Sequence, residues 1–337
     1  MNRNIKIALI AAGFLMVAGL IITFISVAST GFDVHEISDG NYVERTFNLE
    51  HDFEGIYVDV SSEDVSFYVT DGQPRVVTYQ RDDVDVSVTI ANNILSVETD
   101  MGKWFSMGIN FENPTVKIYL NKSTFAGDLT IKSSSGNVEV PSTLQFANAS
   151  LDASSGNLSL TAQVSGSVRT NASSGNIIVH GVNAKRLDAD TSSGNIVMTS
   201  CSFAGDAKIS CTSGNITVKD SEFTALITET SSGDLRMSGV NVSGDLSSQS
   251  SSGEMDFKST YAGSFNAVSS SGDITFERFD SKKMNIETTS GEVEGSLLSD
   301  KLFNVRTNSG DVDTPSPRGE EECNISTSSG DVELRIA

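Results

Sequence analysis

The C-terminal two-thirds of the chain repeats one pattern of apolar and polar positions every 19 or 20 residues. Apolar or small residues stand seven, five and three positions before a Ser-Gly glycine, as in Leu187, Ala189 and Thr191. The second position after the glycine is always apolar, and the fourth is apolar except at Gly295 and Thr314. Alternation with period two predicts β-strands, and no window has helical spacing. The eleven copies are marked by Gly136, Gly156, Gly175, Gly194, Gly214, Gly233, Gly253, Gly272, Gly291, Gly310 and Gly330.

Each copy therefore predicts a strand, a Ser-Gly-Asn/Asp turn, a second strand and a short return. The glycine is expected to adopt a positive backbone torsion, and the Asn or Asp beside it to bond to local backbone. Propeller blades need longer repeats, and the leucine and asparagine pattern of leucine-rich repeats is absent. The sequence predicts an all-β chain, a single-stranded parallel β-solenoid (β-helix) with coils of 19–20 residues. Eleven coils would form a rod about 50 Å long.

The N-terminal end has a different composition. Residues 1–6 include Arg3 and Lys6, and Ile7–Val27 is an uncharged apolar run long enough for a membrane-spanning helix. The charges predict a cytoplasmic tail (1–6), a transmembrane signal anchor (7–27), a stalk (28–42) and an extracytoplasmic remainder. The chain would thus be a single-pass protein of the cell membrane. The stretch Ser26-Val27-Ala28 leaves open a cleaved signal peptide.

Residues 43–128 predict a degenerate first coil and a β-rich cap, followed by the solenoid itself over 129–337. Glu63 stands where later copies have glycine, and Asn92-Asn93 predicts a hairpin turn. A solenoid needs an atypical first unit to cover its exposed backbone. No such unit follows the last copy, so Val332–Ala337 is expected to present an open strand edge.

Charge and reactive residues narrow the function. The formal net charge of −21 argues against nucleic-acid binding. Cys201, Cys211 and Cys323 lack metal-site spacing and are interpreted as buried small residues, with a Cys201–Cys211 bridge as the alternative. The three histidines stand in no motif, and no catalytic, cofactor-binding or metal-binding residue is predicted. From Gly233 onward an acid follows each glycine, so stacked carboxylates could bind calcium or simply be hydrated.

Three segments resemble a known bacterial family. They are Ile56–Val60, the stretch from Val116–Leu120 into Leu129–Val138, and the Ser-Ser-Gly-Asn/Asp-Val/Ile repeats. With the N-terminal anchor, they resemble the putative-adhesin domain of unknown function, which includes LiaG-like cell-envelope proteins. The likeness covers roughly Val43 to Ala337. It implies a β-solenoid ectodomain at the cell surface and carries over no catalytic residue.

The hypothesis that follows is a noncatalytic, membrane-anchored binding protein whose partner is an envelope or surface protein or a glycan. The alternative is a structural protein that self-associates end to end through its uncapped C-terminal rung. A polysaccharide-active β-helix enzyme is a third reading. It is disfavoured because glycine intervals never exceed 20 residues and leave no loop to wall a substrate cleft.

Overall fold

The structure is a computed structural model that describes residues 41–100, 113–316 and 318–337. The cytoplasmic tail, the transmembrane anchor (7–27) and nearly all of the stalk predicted from the sequence lie outside these residues. Within the described ranges, no helix is long and apolar enough to cross a membrane. Every named element in these ranges is a β-strand, as the alternating pattern predicted.

The strands are numbered along the chain. The N-terminal strands are β1 (Tyr42–Asn48), β2 (Gly55–Val60), β3 (Asp64–Val69), β4 (Arg75–Arg81), β5 (Asp85–Ala91), β6 (Ile94–Asp100) and β7 (Thr115–Leu120). The first solenoid strands are β8 (Leu129–Ser133), β9 (Val138–Val140), β10 (Gln145–Phe146), β11 (Ala149–Ala153), β12 (Leu158–Leu160), β13 (Gln163–Val164), β14 (Ser167–Ala172), β15 (Ile177–His180), β16 (Asn183–Ala184), β17 (Arg186–Thr191) and β18 (Ile196–Thr199). The remaining strands are β19 (Ser202–Cys211), β20 (Ile216–Lys219), β21 (Glu222–Thr230), β22 (Leu235–Ser238), β23 (Asn241–Ser250), β24 (Met255–Lys258), β25 (Tyr261–Ser269), β26 (Ile274–Thr288), β27 (Val293–Leu297), β28 (Lys301–Arg306), β29 (Val312–Asp313), β30 (Glu321–Thr327) and β31 (Val332–Ile336).

These strands form a β-solenoid of about ten turns. We call one turn a level, the sheet built from strands before each turn glycine the leading sheet, and the sheet built after it the trailing sheet. Leu187 of β17 pairs in parallel with Val168 on one side and Ala207 on the other in the leading sheet. Ile196 of β18 pairs likewise with Ile177 and Ile216 in the trailing sheet. Strand pairing with the equivalent strand one turn away is therefore confirmed for the body of the solenoid.

The core is a continuous column of inward side chains between the two sheets and the return segments. Alternate residues of each strand point inward, so one apolar stripe per strand is enough to fill it. In the returns, Phe146, Phe203 and Phe223 are buried. Tyr261, the large residue of a later return, is instead 44% exposed, and Ala262 takes the inward place. The register explains this, because Ala262 pairs with Val242, whereas Tyr261 pairs with the outward Asn241.

The turn glycines form a second column, and their role differs from the one predicted. Among the described residues, positive backbone torsions at glycine occur only at Gly181, Gly239 and Gly295, none of which is a Ser-Gly turn glycine. A Cβ atom at Gly194 would instead lie 1.9 Å from the carbonyl oxygen of Gly175 one level below. The levels stack so closely at this corner that a side chain cannot fit. Glycine is required by close approach, and the expectation of a positive torsion was wrong.

The N-terminal end of the solenoid is closed by strands out of chain order. β2 lies between β6 and β8 in the leading sheet, and β3 lies between β7 and β9 in the trailing sheet. β5 joins β6 as an antiparallel hairpin, and β4 pairs antiparallel with both β7 and β1. The hairpin turn is at Asn92 and Asn93, with φ of 50° and 65°, as the sequence predicted. These antiparallel strands continue both sheets beyond the first level.

The C-terminal end is also out of order, which corrects the predicted open edge. β30 lies between β26 and β28, and β31 lies between β27 and β29. The glycine column shows the same order, since a Cβ at Gly330 would contact Gly291 and one at Gly310 would contact Gly330. Leu334 is accordingly buried. At this end of the solenoid, the level whose outer edge is unpaired among the described residues is that of Gly310, formed by β28 and β29.

A buried lysine lies where these levels interchange. The side chain of Lys301 is fully buried, and its Nζ atom is 2.7 Å from Oδ1 of Asp280 and 2.6 Å from the carbonyl oxygen of Ser281. It also donates to Ser299 and Glu321. Because Asp280, Glu321 and Lys301 belong to three consecutive levels, this one ammonium group ties the last three levels together. A buried charge needs such partners, since leaving it unpaired would cost several kcal/mol, on the order of 3–5.

Candidate binding surfaces

The turn row is built from the Asn, Asp or Glu residue after each glycine. The Oδ1 atom of Asn176 accepts the backbone N–H of Asn195 at 2.9 Å, and Oδ1 of Asn195 accepts that of Asn215 at 2.9 Å. Where the sequence changes to acids, Asp234 Oδ1 still accepts the N–H of Glu254 at 3.2 Å. The asparagines of the row, and the aspartates at 234, 273 and 331, thus satisfy a backbone donor of a neighbouring level.

The carboxylates of this row were the candidate calcium site. Asp273 and Asp331 each hold the backbone N–H of a neighbouring level at 2.8 Å. Across the described part of the chain, no three His, Cys, Asp or Glu side chains come together in a way that could hold a metal ion. Asp234, Asp273 and Asp331 therefore act as hydrogen-bond acceptors at the turn, and the calcium hypothesis gains no support from the geometry.

A second row, polar except at Ala153 and Ala172, stands three residues before each turn glycine and faces inward. Thr191 Oγ1 accepts the N–H of Gly194 at 3.2 Å, and Thr327 Oγ1 accepts that of Gly330 at 2.9 Å. Cys211 occupies the same place, with its Sγ atom 3.0 Å from the N–H of Gly214. These side chains bond the tight turn from within, which explains why small hydroxyl-bearing residues recur at a buried position.

The cysteines are free and buried, as the favoured interpretation held, and the Cys201–Cys211 bridge is absent. Burial raises the pKa of Cys201 and of Cys211, and it raises the pKa of Cys323 to about 12. Because the thiolate is the nucleophile, these thiols are unreactive near neutral pH. Of the histidines, His51 and His180 are exposed on separate segments, and His35 lies outside the described residues.

The outer face of the leading sheet carries a row that the sequence interpretation missed. Asn266, Asn285, Asn324 and Asn304 occupy the same outward position in four consecutive levels. They form the floor of an open groove of about 740 Å³, with Glu287, Ser326 and Arg306 along one side. The signal was present in the sequence, since each of these asparagines stands six positions before its glycine. We call this feature the asparagine groove.

The open level beside this groove exposes part of the core. Val312 is 47% exposed and Leu302 is 40% exposed, while Phe303 and Val305 are half-buried. Within the described residues, β28 pairs only with β30, and β29 only with β31. The backbone groups on the far side of both strands are thus available for pairing.

Solved structures of similar shape come from bacteria. A putative adhesin from Parabacteroides merdae is 14% identical, with a TM-score of 0.44 over 77% of this chain and 97% of that chain. A putative adhesin from Bacteroides fragilis is 12% identical, with a TM-score of 0.28 over 88% and 98%. A putative lipid binding protein from Parabacteroides distasonis is 15% identical, with a TM-score of 0.35 over 88% and 98%.

A search of curated proteins finds no match for this chain. A family model described as Toastrack DUF4097 matches it twice, over residues 53–241 and 219–337. The two matches together span the first coil and all the turn glycines, so they follow the stacked levels described above. This chain therefore belongs to the Toastrack DUF4097 family.

Proposed function

We propose that this chain is a noncatalytic binding protein of the bacterial cell surface, held in the membrane by Ile7–Val27 with its solenoid on the extracytoplasmic side. The observation that carries the proposal is the division of labour among polar side chains. Those of the turn row bond to the backbone of a neighbouring level and those of the inward row to the backbone of their own turn, whereas those of the asparagine groove contact no backbone and face solvent. An outward face with unused polar groups suits the binding of a ligand better than catalysis.

The described residues also lack the arrangement that an enzyme of this architecture would need. The turn-tip carboxylates of Asp234, Asp273 and Asp331 are engaged with backbone N–H groups, and the exposed histidines lie apart. Serine hydroxyls donate to carboxylates in the described ranges, as Ser210 does to Asp190 at 2.6 Å, but no histidine takes part in a hydrogen bond between these side chains. This supports binding over catalysis.

The location and the binding role are tested separately. Protease is added to cells whose outer layers are permeabilised and whose cytoplasmic membrane is intact. It should degrade the solenoid and leave the N-terminal tail protected by the membrane. A photo-crosslinking amino acid at Gln249, exposed on the leading sheet, should capture envelope material. The same group at Asp71, exposed in the β3–β4 loop, is the matched control. Protection of the solenoid would refute the location, and equal yields at both sites would refute recognition through the sheet face.

The second candidate is self-association end to end, which the exposed edge of β28 and β29 favours. This open edge is not the one expected from the sequence, at Val332–Ala337. Leu334 of that segment is buried between two levels, so replacing it would disturb the fold and would not test self-association. The informative change is Val312→Lys, which places a charge on the open level. Sedimentation of the full-length chain in detergent should show a particle mass that rises with protein concentration. Val312→Lys should abolish this rise. A monomer at all concentrations would refute self-association.

A further inference from the structure

Backbone hydrogen bonding does not account for the asparagine groove. Asparagine is depleted in strands, yet four stand at consecutive outward positions of the leading sheet. Asn304 Nδ2 donates to Asn324 Oδ1 at 3.1 Å, and Asn324 Nδ2 donates to Asn285 Oδ1 at 3.2 Å. Asn266 is exposed and has no hydrogen-bond partner among the described residues. Unlike the turn row, these amides hold no backbone group.

The row leaves unused donors and acceptors at a fixed period. Each amide has two N–H donors and an oxygen acceptor, and the contacts within the row use only part of them. Successive strands are about 4.8 Å apart, so equivalent amides recur at that interval along the solenoid axis. A ligand that fits must therefore be a straight chain with hydroxyl or amide groups at a similar repeat.

The side of the groove limits the charge of the ligand. Glu287, Ser326 and Arg306 are aligned in successive levels, so a carboxylate, a hydroxyl and a guanidinium follow one another. Glu287 and Arg306 are two levels apart, about 10 Å, and neither forms an ion pair with another described residue. Their charges offset each other, so the groove as a whole favours a ligand that is close to neutral.

Polymers of three classes can be compared with these features. A nucleic acid would need clustered basic residues, which a chain of net charge −21 lacks. An extended peptide binds a sheet through a free strand edge, whereas the groove lies on the face of the sheet, where the backbone is already paired. A polysaccharide presents hydroxyl donors and acceptors on every unit. In an extended β-1,4-linked chain, one sugar unit also has nearly the length of one strand separation.

We propose that the asparagine groove binds a neutral, extended β-1,4-linked polysaccharide that lies along the solenoid axis, with successive sugar units over successive asparagines. This inference deepens the proposed surface-binding function and rests on it. Arg306 and Glu287 would contact hydroxyl groups at the side of the sugar chain. Because no aromatic ring lines the groove, affinity would come from many hydrogen bonds and would grow with the number of sugar units bound.

Calorimetric titration of the full-length chain in detergent tests the proposal. The probes are the β-1,4-linked hexasaccharides of glucose and of N-acetylglucosamine, each compared with its disaccharide. We expect at least one hexasaccharide to bind at least tenfold more tightly than its disaccharide. The double change Asn285→Ala with Asn324→Ala should weaken that binding at least tenfold. The control Asn241→Ala, an exposed asparagine in a return segment, should leave it unchanged.

The possible results distinguish a failure of this inference from a failure of the proposed surface-binding function. Binding of neither hexasaccharide overturns the inference, as does binding that the double change leaves intact. In both cases, crosslinking from Gln249 to envelope material would still support the proposed function. If that crosslinking also fails, the proposed function itself is refuted. Far-UV circular dichroism of the double variant should match that of the unmodified chain, because the replaced side chains face outward and hold no backbone group.

Discussion

The change Gly194→Ala tests whether close stacking, rather than backbone torsion, makes the turn glycines necessary. An added methyl carbon would lie 1.9 Å from the carbonyl oxygen of Gly175, far inside contact distance. The two levels would have to separate at this corner. Hydrogen bonds across it would lengthen, among them Ser193 N to Ser173 O at 3.1 Å and Asn195 N to Asn176 Oδ1 at 2.9 Å.

The expected loss follows from these contacts. Overpacking of a tight site costs about 1–3 kcal/mol, and two weakened hydrogen bonds add about 1 kcal/mol each. The lower entropy of unfolded alanine returns about 0.4–1 kcal/mol. The net decrease in the free energy of unfolding should be about 3 kcal/mol, a large part of the stability of a typical domain.

Urea unfolding followed by far-UV circular dichroism measures this change, and two other glycines serve as controls. A Cβ at Gly181 meets nothing within 4 Å, but its φ is +67°, so Gly181→Ala should cost about 1–2 kcal/mol. Gly72 has neither constraint, as its nearest atom is Thr70 Oγ1 at 3.5 Å, and Gly72→Ala should be nearly neutral. If Gly194→Ala were as stable as Gly72→Ala, the stacking argument would be refuted.

Three further predictions concern the order of levels, the turn row and the buried thiols. Cysteines replacing Asn285 and Asn324 should form a disulfide on mild oxidation, whereas cysteines replacing Asn285 and Asn304 should not, because these are two levels (about 10 Å) apart. Gel mobility after oxidation shows which pair has formed a disulfide. A disulfide only between positions 285 and 304 would mean that the levels stack in the order of the chain. Asn195→Ala should lower the free energy of unfolding by about 1 kcal/mol by removing the acceptor for a backbone N–H, while Asn195→Asp should be nearly neutral; equal losses in urea unfolding would contradict this role. Burial raises the pKa of Cys323 to about 12, so the folded state keeps a proton that the unfolded state loses, and stability should fall as pH rises from the ordinary thiol pKa of about 8.5 towards 12. From about pH 9 to about pH 10.5 this amounts to about 2 kcal/mol; Cys323→Ala should show a correspondingly flatter decline in urea unfolding, and an unchanged slope would contradict the assignment.

The body of the fold could be predicted because each repeat has the same inward stripe and the same turn. Strand positions, parallel pairing and the buried cysteines all follow from that periodicity. The Asn92-Asn93 hairpin could also be predicted, since two asparagines with positive φ suit this turn. The reason why glycine stands at the turn could not be predicted. A position that needs a positive φ and a position that is crowded by the level below both require glycine, so the sequence does not distinguish them.

The order of levels at the ends could not be predicted for a different reason. Repeats with equal faces can stack in any order without a change in their apolar pattern. What distinguishes the C-terminal order is a specific contact, the buried Lys301 between Asp280 and Glu321, and such a contact is not periodic. The asparagine groove was predictable as a row but not as a groove, because its depth depends on the neighbouring side chains.

The wedged position of β30 and β31 has a consequence for how the protein is assembled. Ordinary neighbours in the stack are 19 or 20 residues apart, whereas Asn324 bonds to Asn285 across 39 residues and Ser329 to Thr289 across 40. Doubling the closed loop adds only about 0.6 kcal/mol of entropy, but it changes the sequence of events. A repeat made earlier must remain unstacked, or be displaced outward, until a later one has entered beneath it. Growth by simple addition therefore stops at Gly291, and the Gly330 repeat must be in place before the Gly310 repeat can stack on it.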